Sequence, residues 1–334
     1  MSETHRIRPT RSLSATLVAA GLLCAGLLAN QAHAADNVTF VTDFGFNGRH
    51  AYYFVAQEKG CYQDRGLEVE FVRGQGSADA IKQVGAGGAD LGFADAGTLV
   101  LARGNDQIPV KLVAIVYAKP PHAIYAVEES GIREPADLEG KRIADTAFSA
   151  VPALFAAYAQ AAGIDADQVT WTVADSAALP SLLATGRVDA VGQFVVGEPL
   201  LEKNVAPKSL VRLGYADVGL SYYGNGIIAT EDTIQNRPEL VRAFVAGTIC
   251  GMEAAFADPA EAGRIIHEYH RQVEPDIGAG ETELVRDLAE VDGRPLGAID
   301  PERIESTVEL VSNAYDLKTP VAPEDMYVPG FLPE

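Results

Sequence analysis

Polar and aromatic side chains that could contact a small molecule recur directly after the predicted strands of this 334-residue chain. Carboxylates, amides and hydroxyls can hydrogen-bond to a ligand, and an aromatic face can stack on a flat one. Because open parallel sheets bind ligands beyond the carboxyl ends of their strands, we expect these side chains to converge on one cleft. Taken singly, such residues are also common in caps and turns. The candidate ligand-binding residues are Asp43, Phe44, Asn47, His50, Ser77, Asp95, Tyr117, Ser149, Gln193, Glu198, Tyr223 and Asn225.

A glycine-rich turn at Gly74, Gly76 and Ser77 follows a predicted strand and opens a helix. The third glycine of the dinucleotide-binding fingerprint is missing, which argues against a nucleotide site. Two interpretations stay open for Ser77. It either joins the free N–H groups of the helix start in holding an anionic or carbonyl oxygen of a small ligand, or it simply caps the helix.

No pattern in the sequence demands an enzyme. His267 and His270 lie three residues apart, but the zinc-protease pattern needs two residues between its glutamate and its last histidine, and here there is one. We therefore expect a solvated helix face. A Gly-x-Ser-x-Gly elbow and sequence-readable pairs of acid and base carboxylates are also missing. The sequence predicts no catalytic residue, no metal and no cofactor.

The scaffold for these side chains alternates short apolar runs with helical periodicity, which predicts an α/β fold with mainly parallel sheets flanked by helices. In the first unit we predict strands at 38–42, 67–72, 89–94 and 110–117. Its helices are predicted at 50–59, 78–86 and 98–103.

A second unit of the same kind begins after His122. Its strands are predicted at 123–127, 141–145, 169–173, 189–194 and 210–213. Its helices are predicted at 151–162, 177–185 and 199–204. A last strand at 225–230 is followed by helices at 238–257, 259–270, 281–291 and 301–315.

The composition and charge exclude several classes of protein. Apolar residues make up 48% and charged residues 22%, which is typical of a globular chain with a sizeable core. The formal net charge of −20 repels phosphate backbones and anionic lipid. Nucleic acid is therefore not an expected partner.

The N-terminal residues 1–34 have the pattern of a secretory signal peptide. Arg6, Arg8 and Arg11 precede an apolar run, and Ala32 and Ala34 give an Ala-x-Ala cleavage pattern. A membrane anchor is the alternative interpretation of the run. We expect no later segment to be long and apolar enough to cross a bilayer, so the mature protein should reside in a bacterial periplasm.

Export would place Cys61 and Cys250 in an oxidising compartment where a disulfide can form. The alternative is that two buried thiols act as small apolar side chains. We favour unlinked thiols, because nothing in the sequence compels a bridge.

Six stretches carry a resemblance to a known family: 43–51, 56–60, 66–69, 87–92, 136–144 and 192–201. On them the chain resembles the periplasmic substrate-binding proteins of ABC importers that group sulfonate, nitrate and taurine binders with binders of thiamine-pyrimidine precursors. Almost the whole mature chain is covered. The pattern Asp-aromatic-x-x-Asn-x-x-His-Ala at 43–51, together with Glu198, looks more like the pyrimidine-precursor branch.

The resemblance implies the two-lobed periplasmic binding protein fold, with a ligand cleft between the lobes. Lobe I would comprise residues 35–121 and 225–334, and lobe II residues 122–224. The lobes would be joined by two crossing segments, near 119–123 and 222–226.

Carried over by position, Phe44 stands in place of the family's usual tryptophan as the stacking face. Asn47 and His50 match the family's polar loop positions, and Glu198 matches the carboxylate that would meet an amino-substituted heterocycle. Phe46 stands where that branch usually has proline. A cysteine-rich motif that marks the related pyrimidine synthases is absent from this sequence.

The resemblance therefore implies a solute-binding component that closes on a small nitrogen heterocycle, such as a thiamine pyrimidine precursor. Its partners would be the permease and ATPase complex of an importer at the inner membrane. An alternative ligand is a sulfonate, nitrate or aromatic carboxylate, held by Ser77, helix-start amides and Arg73. Two other classes stay open: a secreted pyrimidine-forming or hydrolytic enzyme, and a sensor domain that presents its ligand to a membrane receptor.

Overall fold

The computed structural model describes residues 1–2 and 35–333. The predicted signal peptide therefore lies outside the described residues, apart from its first two. The strands are β1 (Asp36–Val41), β2 (Leu67–Val72), β3 (Leu91–Asp95), β4 (Val110–Ile115), β5 (His122–Val127), β6 (Arg142–Asp145), β7 (Thr170–Val173), β8 (Ala190–Phe194), β9 (Leu210–Gly214) and β10 (Asn225–Thr230).

Helices cover both sheets and dominate the C-terminal third. They are α1 (Ala51–Glu58), α2 (Ser77–Gly85), α3 (Ala96–Asp106), α4 (Ala150–Ala153), α5 (Phe155–Ala162), α6 (Leu179–Ala184), α7 (Glu198–Val205), α8 (Glu231–Asn236), α9 (Pro238–Ala257), α10 (Pro259–Tyr269), α11 (Pro275–Ala289) and α12 (Pro301–Ala314). Short 3₁₀ helices at Gly48–His50 and Val195–Gly197 lead into α1 and α7.

Helix α11 begins at Pro275, before the start predicted at 281. Gly278 and Gly280 have low helix propensity, so the first turns did not look helical in the sequence. Gly278 is needed for close packing: a Cβ there would lie 3.0 Å from the Cα of Gly263 on α10. Tertiary packing thus extends the helix beyond what local propensity indicates.

The strands form two five-stranded sheets, in the orders β2-β1-β3-β10-β4 and β7-β6-β8-β5-β9. In each sheet four strands point the same way and one is reversed, β10 in the first and β5 in the second. The expected α/β fold with two mainly parallel sheets flanked by helices is therefore confirmed. We call the part built on the first sheet lobe I and the part built on the second lobe II.

The chain crosses from lobe I to lobe II between β4 and β5 and returns between β9 and β10. Both crossings meet at His122, which is fully buried. Its Nδ1 lies 2.8 Å from the hydroxyl of Tyr222 in the return crossing, and its Nε2 lies 3.3 Å from a carboxylate oxygen of Asp95. Side chains from both crossings and from lobe I therefore share one buried polar cluster.

Helix α9 corrects the expectation that no later segment is long and apolar enough to cross a bilayer. It has 20 residues and a mean hydropathy of 1.5, so it meets that criterion by length and composition alone. In the structure 61% of this segment is buried inside the protein. Phe244 of α9 stacks on Phe40 of β1, with ring centroids 4.8 Å apart. A core helix that packs on a sheet can be as long and as apolar as a helix that spans a membrane.

The cysteine expectation is also wrong. Cys61 and Cys250 form a disulfide that links the end of α1 to α9, with Cα atoms 6.1 Å apart. The two residues are separated by 189 positions, and no local pattern revealed that α1 and α9 pack side by side. A disulfide typically stabilises a fold by about 2–4 kcal/mol.

Candidate ligand-binding site between the lobes

A small recess lies where the carboxyl ends of strands from both lobes meet. Its cavity volume is about 10 Å³, the room for about one water molecule. The two lobes therefore lie close together in this conformation. The recess is lined by Asp43, Phe44, Arg49, Gly76, Ser77, Asp145, Ser149, Ala150, Gln193 and Phe194.

The centre of the recess is Arg49, which is 1% exposed. Its guanidinium carbon lies 4.9 Å from the ring centre of Phe44 in lobe I and 5.4 Å from that of Phe194 in lobe II. Its Nη2 donates to the Oε1 of Gln193 at 2.6 Å. A guanidinium between two aromatic faces is held by cation–π attraction as well as by its hydrogen bond. Arg49 thus joins the two lobes.

Asp145, at the end of β6, is a buried carboxyl group of lobe II. It accepts hydrogen bonds from the hydroxyl of Ser149 at 2.8 Å and from the backbone N–H of Thr146 at 2.6 Å. Burial disfavours its charged form and raises its pKa to about 7, against the opposing effect of these donors and of Arg49. Asp145 can therefore change its charge near neutral pH.

Glu281, on α11, is a second buried carboxyl group and is fully buried. Its Oε2 accepts from the backbone N–H of Arg49 at 3.1 Å. Burial raises its pKa to about 7, and the nearby charge of Arg49 opposes the rise. Both acids were missed by the sequence analysis, because neither follows a recognised motif.

A larger cavity of about 430 Å³ lies beside the recess, and Phe44 borders both. This volume falls within the range of small-molecule sites. We call it the outer cavity. Its walls come from both lobes: Phe44, Gly45, Phe46, Asn47, Arg73, Gln272, Val273, Glu274, Ile277 and Glu281 from lobe I, and Ser176, Ala177, Pro180, Ser181, Leu200 and Asn204 from lobe II.

The loop that carries Phe44 is anchored by Asp43. One carboxylate oxygen of Asp43 lies 2.9 Å from the Nε2 of His50, and the other accepts from the Nδ2 of Asn225 at 2.8 Å. Burial lowers the pKa of His50, although Asp43 opposes the shift. His50 and Asn225 thus lie behind the recess, where they position the loop.

Five of the twelve predicted residues line the recess: Asp43, Phe44, Ser77, Ser149 and Gln193. Asn47 lines the outer cavity. The Oγ of Ser77 accepts from the backbone N–H of Asp95, and the N-cap of α2 is Gly76 without a side-chain cap. Capping of α2 by Ser77 is therefore not what the structure has.

The remaining predicted residues lie elsewhere. Asp95 caps α3 by accepting from the backbone N–H of Thr98 at 2.7 Å. Tyr117 is fully buried and lies outside the lining of both cavities. Tyr223 lines a separate cavity of about 210 Å³ near the crossings, where its hydroxyl accepts from the backbone N–H of Asp300.

Glu198 is not brought to the recess or to the outer cavity. Its Oε2 accepts from the hydroxyl of Tyr125 at 2.7 Å and from the Nη1 of Arg212 at 3.0 Å. Both partners belong to lobe II, so this carboxylate is already paired within its own lobe.

The expected solvated histidine face is wrong at His270. Its ring stacks on Phe46 with centroids 4.3 Å apart and meets Phe54 edge to face at 4.8 Å. Burial lowers its pKa. His267 instead bonds the backbone carbonyl of Val273. Within the described residues, no group of three or more His, Cys, Asp and Glu side chains is placed to hold a metal ion.

Direct contacts between the lobes surround the recess. The backbone N–H of Ala78 donates to the carbonyl of Phe148 at 3.2 Å, and the hydroxyl of Thr146 donates to the carbonyl of Gln75 at 3.1 Å. At Gly76 the approach is closer still, since a Cβ there would lie 2.1 Å from the carbonyl oxygen of Phe148. Only glycine permits this contact.

Residues 47–262, more than half of the chain, match the family described as NMT1/THI5 like. The chain belongs to the NMT1/THI5-like family. One relative of this NMT1/THI5-like protein is the formylaminopyrimidine-binding protein of Halalkalibacterium halodurans, 27% identical over 311 residues, which cover 91% of this chain and 93% of the relative. Another is the riboflavin-binding protein RibY of Chloroflexus aurantiacus, 26% identical over 318 residues, with coverages of 89% and 86%.

The NMT1/THI5-like chain also shares its fold with solved binding proteins. The alkanesulfonate-binding protein SsuA of Xanthomonas axonopodis pv. citri, bound to MOPS, gives a TM-score of 0.70 over 88% of this chain and 98% of that chain, at 16% identity. A further relative carries an enzyme name: the 4-amino-5-hydroxymethyl-2-methylpyrimidine phosphate synthase THI5 of Saccharomyces cerevisiae is 25% identical over 256 residues, with coverages of 72% and 74%. The relatives thus include binding proteins and a synthase.

Proposed function

We propose that this protein is the substrate-binding component of an ABC importer and captures a small, flat nitrogen heterocycle with amino groups, such as a thiamine pyrimidine precursor. The observation that carries the proposal is the pairing of one aromatic face, Phe44, with an excess of carboxyl groups between the lobes. An aromatic face stacks on a flat ring, and buried carboxyl groups need N–H donors or cations as partners.

The hydrogen-bonding groups of the cleft argue against an anionic ligand. Four carboxyl side chains line the recess and the outer cavity: Asp43, Asp145, Glu274 and Glu281. Among the described residues that line these two cavities, only Arg49 and Arg73 carry a positive charge. Arg49 already bonds Gln193, and the half-exposed Arg73 bonds Ser176. A sulfonate, nitrate or carboxylate would offer only acceptor oxygens to these carboxyl groups, whereas an amino-substituted heterocycle offers N–H donors.

The named relatives support the same class of ligand. The formylaminopyrimidine-binding and riboflavin-binding proteins take their names from flat nitrogen heterocycles, and both align with about nine-tenths of this chain. The likeness to the alkanesulfonate-binding protein rests on 16% identity and concerns the fold alone. Ring recognition is therefore better supported than sulfonate recognition.

A periplasmic location and a permease partner complete the proposal. The basic and apolar pattern of residues 1–34 and the Cys61–Cys250 disulfide support export, because disulfides persist in oxidising compartments. We propose lobe boundaries at 121/122 and 224/225, with the crossings as the hinge. The ligand would bind when the lobes are apart and be enclosed when they close, without chemical change.

Calorimetric titration of the wild-type protein with 4-amino-2-methylpyrimidine and with ethanesulfonate tests the proposal. The pyrimidine should bind, and the sulfonate should neither bind nor compete with it. Phe44→Ala should weaken pyrimidine binding by about tenfold or more, because stacking contributes about 0.5–1.5 kcal/mol beyond the buried apolar area.

The matched control is Tyr269→Ala, which removes an aromatic ring of lobe I that lies outside the lining of both cavities. It should leave the pyrimidine affinity unchanged. Tighter binding of the sulfonate would point to an anion receptor. Recovery of a chemically altered pyrimidine would point to an enzyme, and either result would contradict the proposal.

A further inference from the structure

One carboxylate oxygen of Glu281 accepts a hydrogen bond from the protein, and the other has no partner among the described residues. Its Oε2 accepts the backbone N–H of Arg49 at 3.1 Å. Gly48, the residue before Arg49, also packs against this carboxyl group, since a Cβ at Gly48 would lie 2.8 Å from Oε2. The 3₁₀ helix at Gly48–His50 therefore fixes the orientation of the carboxyl group.

The second oxygen, Oε1, is buried and has no hydrogen-bond partner among the described residues. Buried polar atoms in proteins nearly always have a partner, so an exception calls for an explanation. Glu281 lines the outer cavity between the lobes. Glu281 is fully buried while the lobes lie this close together, so a molecule that enters when the lobes are apart is the natural source of the missing donor.

Two neighbours on the same cavity wall indicate what that molecule looks like. Asn47 also lines the outer cavity, and its Oδ1 is likewise buried without a partner in the described chain. Phe44 borders the same space with its aromatic ring. Two unpartnered acceptors next to an aromatic face fit a flat ring that carries N–H groups on its edge.

Building on the proposed function, we propose that Glu281 determines specificity by accepting, through Oε1, an N–H from the amino-bearing edge of a heterocycle that stacks on Phe44. Glu281 therefore takes the role that the sequence resemblance gave to Glu198, whose carboxylate is paired with Tyr125 and Arg212. The ligand class is an amino-substituted ring, and the corresponding methoxy-substituted ring is rejected because it offers a second acceptor to an acceptor and has no N–H group.

Glu281→Gln turns this geometry into a test. The backbone N–H of Arg49 must still be met by an oxygen, so the new amide should place its oxygen at the Oε2 position and its NH₂ at the Oε1 position. The substitution thereby replaces an acceptor with a donor where the ligand edge lies. The variant should prefer a methoxy oxygen, which only accepts, over an amino group.

The experiment measures the affinities of 4-amino-2-methylpyrimidine and 4-methoxy-2-methylpyrimidine by calorimetry at pH 8, where Glu281 is mostly ionised given its pKa of about 7. Wild-type protein should favour the amino compound by about tenfold or more, as expected where a buried acceptor would otherwise stay unpaired. In Glu281→Gln the ratio should fall by at least tenfold and approach or pass one.

Glu283→Gln is the matched control, because Glu283 is an exposed residue of the same helix. It should keep the wild-type ratio. Glu281→Asp is the second variant: its shorter acid keeps the acceptor chemistry, so it should lose affinity for the amino compound without gaining any for the methoxy compound. Thermal unfolding of each variant checks that it is folded.

The outcomes separate the two proposals. If wild-type protein binds neither pyrimidine, the proposed function fails and the role of Glu281 fails with it. If wild-type protein binds the amino compound and Glu281→Gln keeps the same amino-to-methoxy ratio, the proposed function stands and Glu281 is purely structural. Selective loss of the amino preference in Glu281→Gln supports the assignment.

Discussion

Asp145 shows what burial does to a single carboxyl group in the recess. It lies against Ser149 and Thr146 with almost no exposure to water, and this burial raises its pKa to about 7. In an unfolded chain the pKa of aspartate is about 3.9. Between the two values the folded protein keeps a proton that the unfolded chain releases, so stability should fall as the pH rises from about 4 to about 7.

Asp145→Asn should abolish this loss of stability with rising pH. The free energy of unfolding of the ligand-free wild type should decrease between pH 5 and pH 8 relative to the variant, by up to about 3 kcal/mol, because from pH 5 to the pKa of about 7 the folded chain holds a proton that the unfolded chain has released. Urea unfolding at the two pH values measures it. The exposed Asp292→Asn should track the wild type at both. If Asp145→Asn and the wild type changed equally in stability between the two pH values, the carboxyl group would not titrate as described.

Among single residues, the sequence pointed to several polar side chains and to the aromatic ring of Phe44 that line the recess, but not to Arg49. Phe44, Ser77 and Gln193 lie at or near the ends of strands, and the strands could be predicted from their short apolar runs. Arg49 lies in the same loop, yet an arginine is usually exposed and nothing local shows that two rings from different lobes enclose it. Glu198 lies outside both cavities, and its carboxylate is paired with Arg212, a neighbour that only the folding of lobe II brings close.

Strands and helices follow from local patterns, and their junctions carry the site. The strand that ends at Val41 and the strand that ends at Phe194 were predicted within a few residues, so the edge where the ligand should bind was also predictable. Helix α11 was not fully predictable, because its glycines serve packing against α10. Glu281, near the middle of that helix, was missed for that reason and because nothing in the sequence pairs it with Arg49.

Gly76 at the start of α2 provides a test at the level of an element. Its φ is 142°, and a Cβ would lie 2.1 Å from the carbonyl oxygen of Phe148 across the cleft. Gly76→Ala should hold the lobes apart and weaken 4-amino-2-methylpyrimidine binding by about tenfold or more, since closure would cost at least a kilocalorie per mole.

The control for this test is Gly87→Ala at the end of the same helix. Gly87 also has a positive φ, of 74°, but a Cβ there would meet nothing within 4 Å. This variant should lower the melting temperature and leave the affinity as it is. Equal loss of affinity in both variants would mean that backbone strain, rather than contact between the lobes, explains the effect.

The whole molecule is an acidic protein built as two lobes around two similar sheets. Its net charge of −20 disfavours the approach of anions over the long range. The paired lobes were predictable because alternating strands and helices occur twice along the chain. The Cys61–Cys250 bridge was not, because it joins two helices that only the folded chain brings together.

Native mass spectrometry of the wild-type protein in an equimolar mixture of 4-amino-2-methylpyrimidine, riboflavin and ethanesulfonate tests this account most directly. We predict that one nitrogen heterocycle binds per chain, that ethanesulfonate does not bind, and that the released compound has the same mass that it had before binding. Selective retention of ethanesulfonate, or release of a compound with an altered mass, would contradict the account.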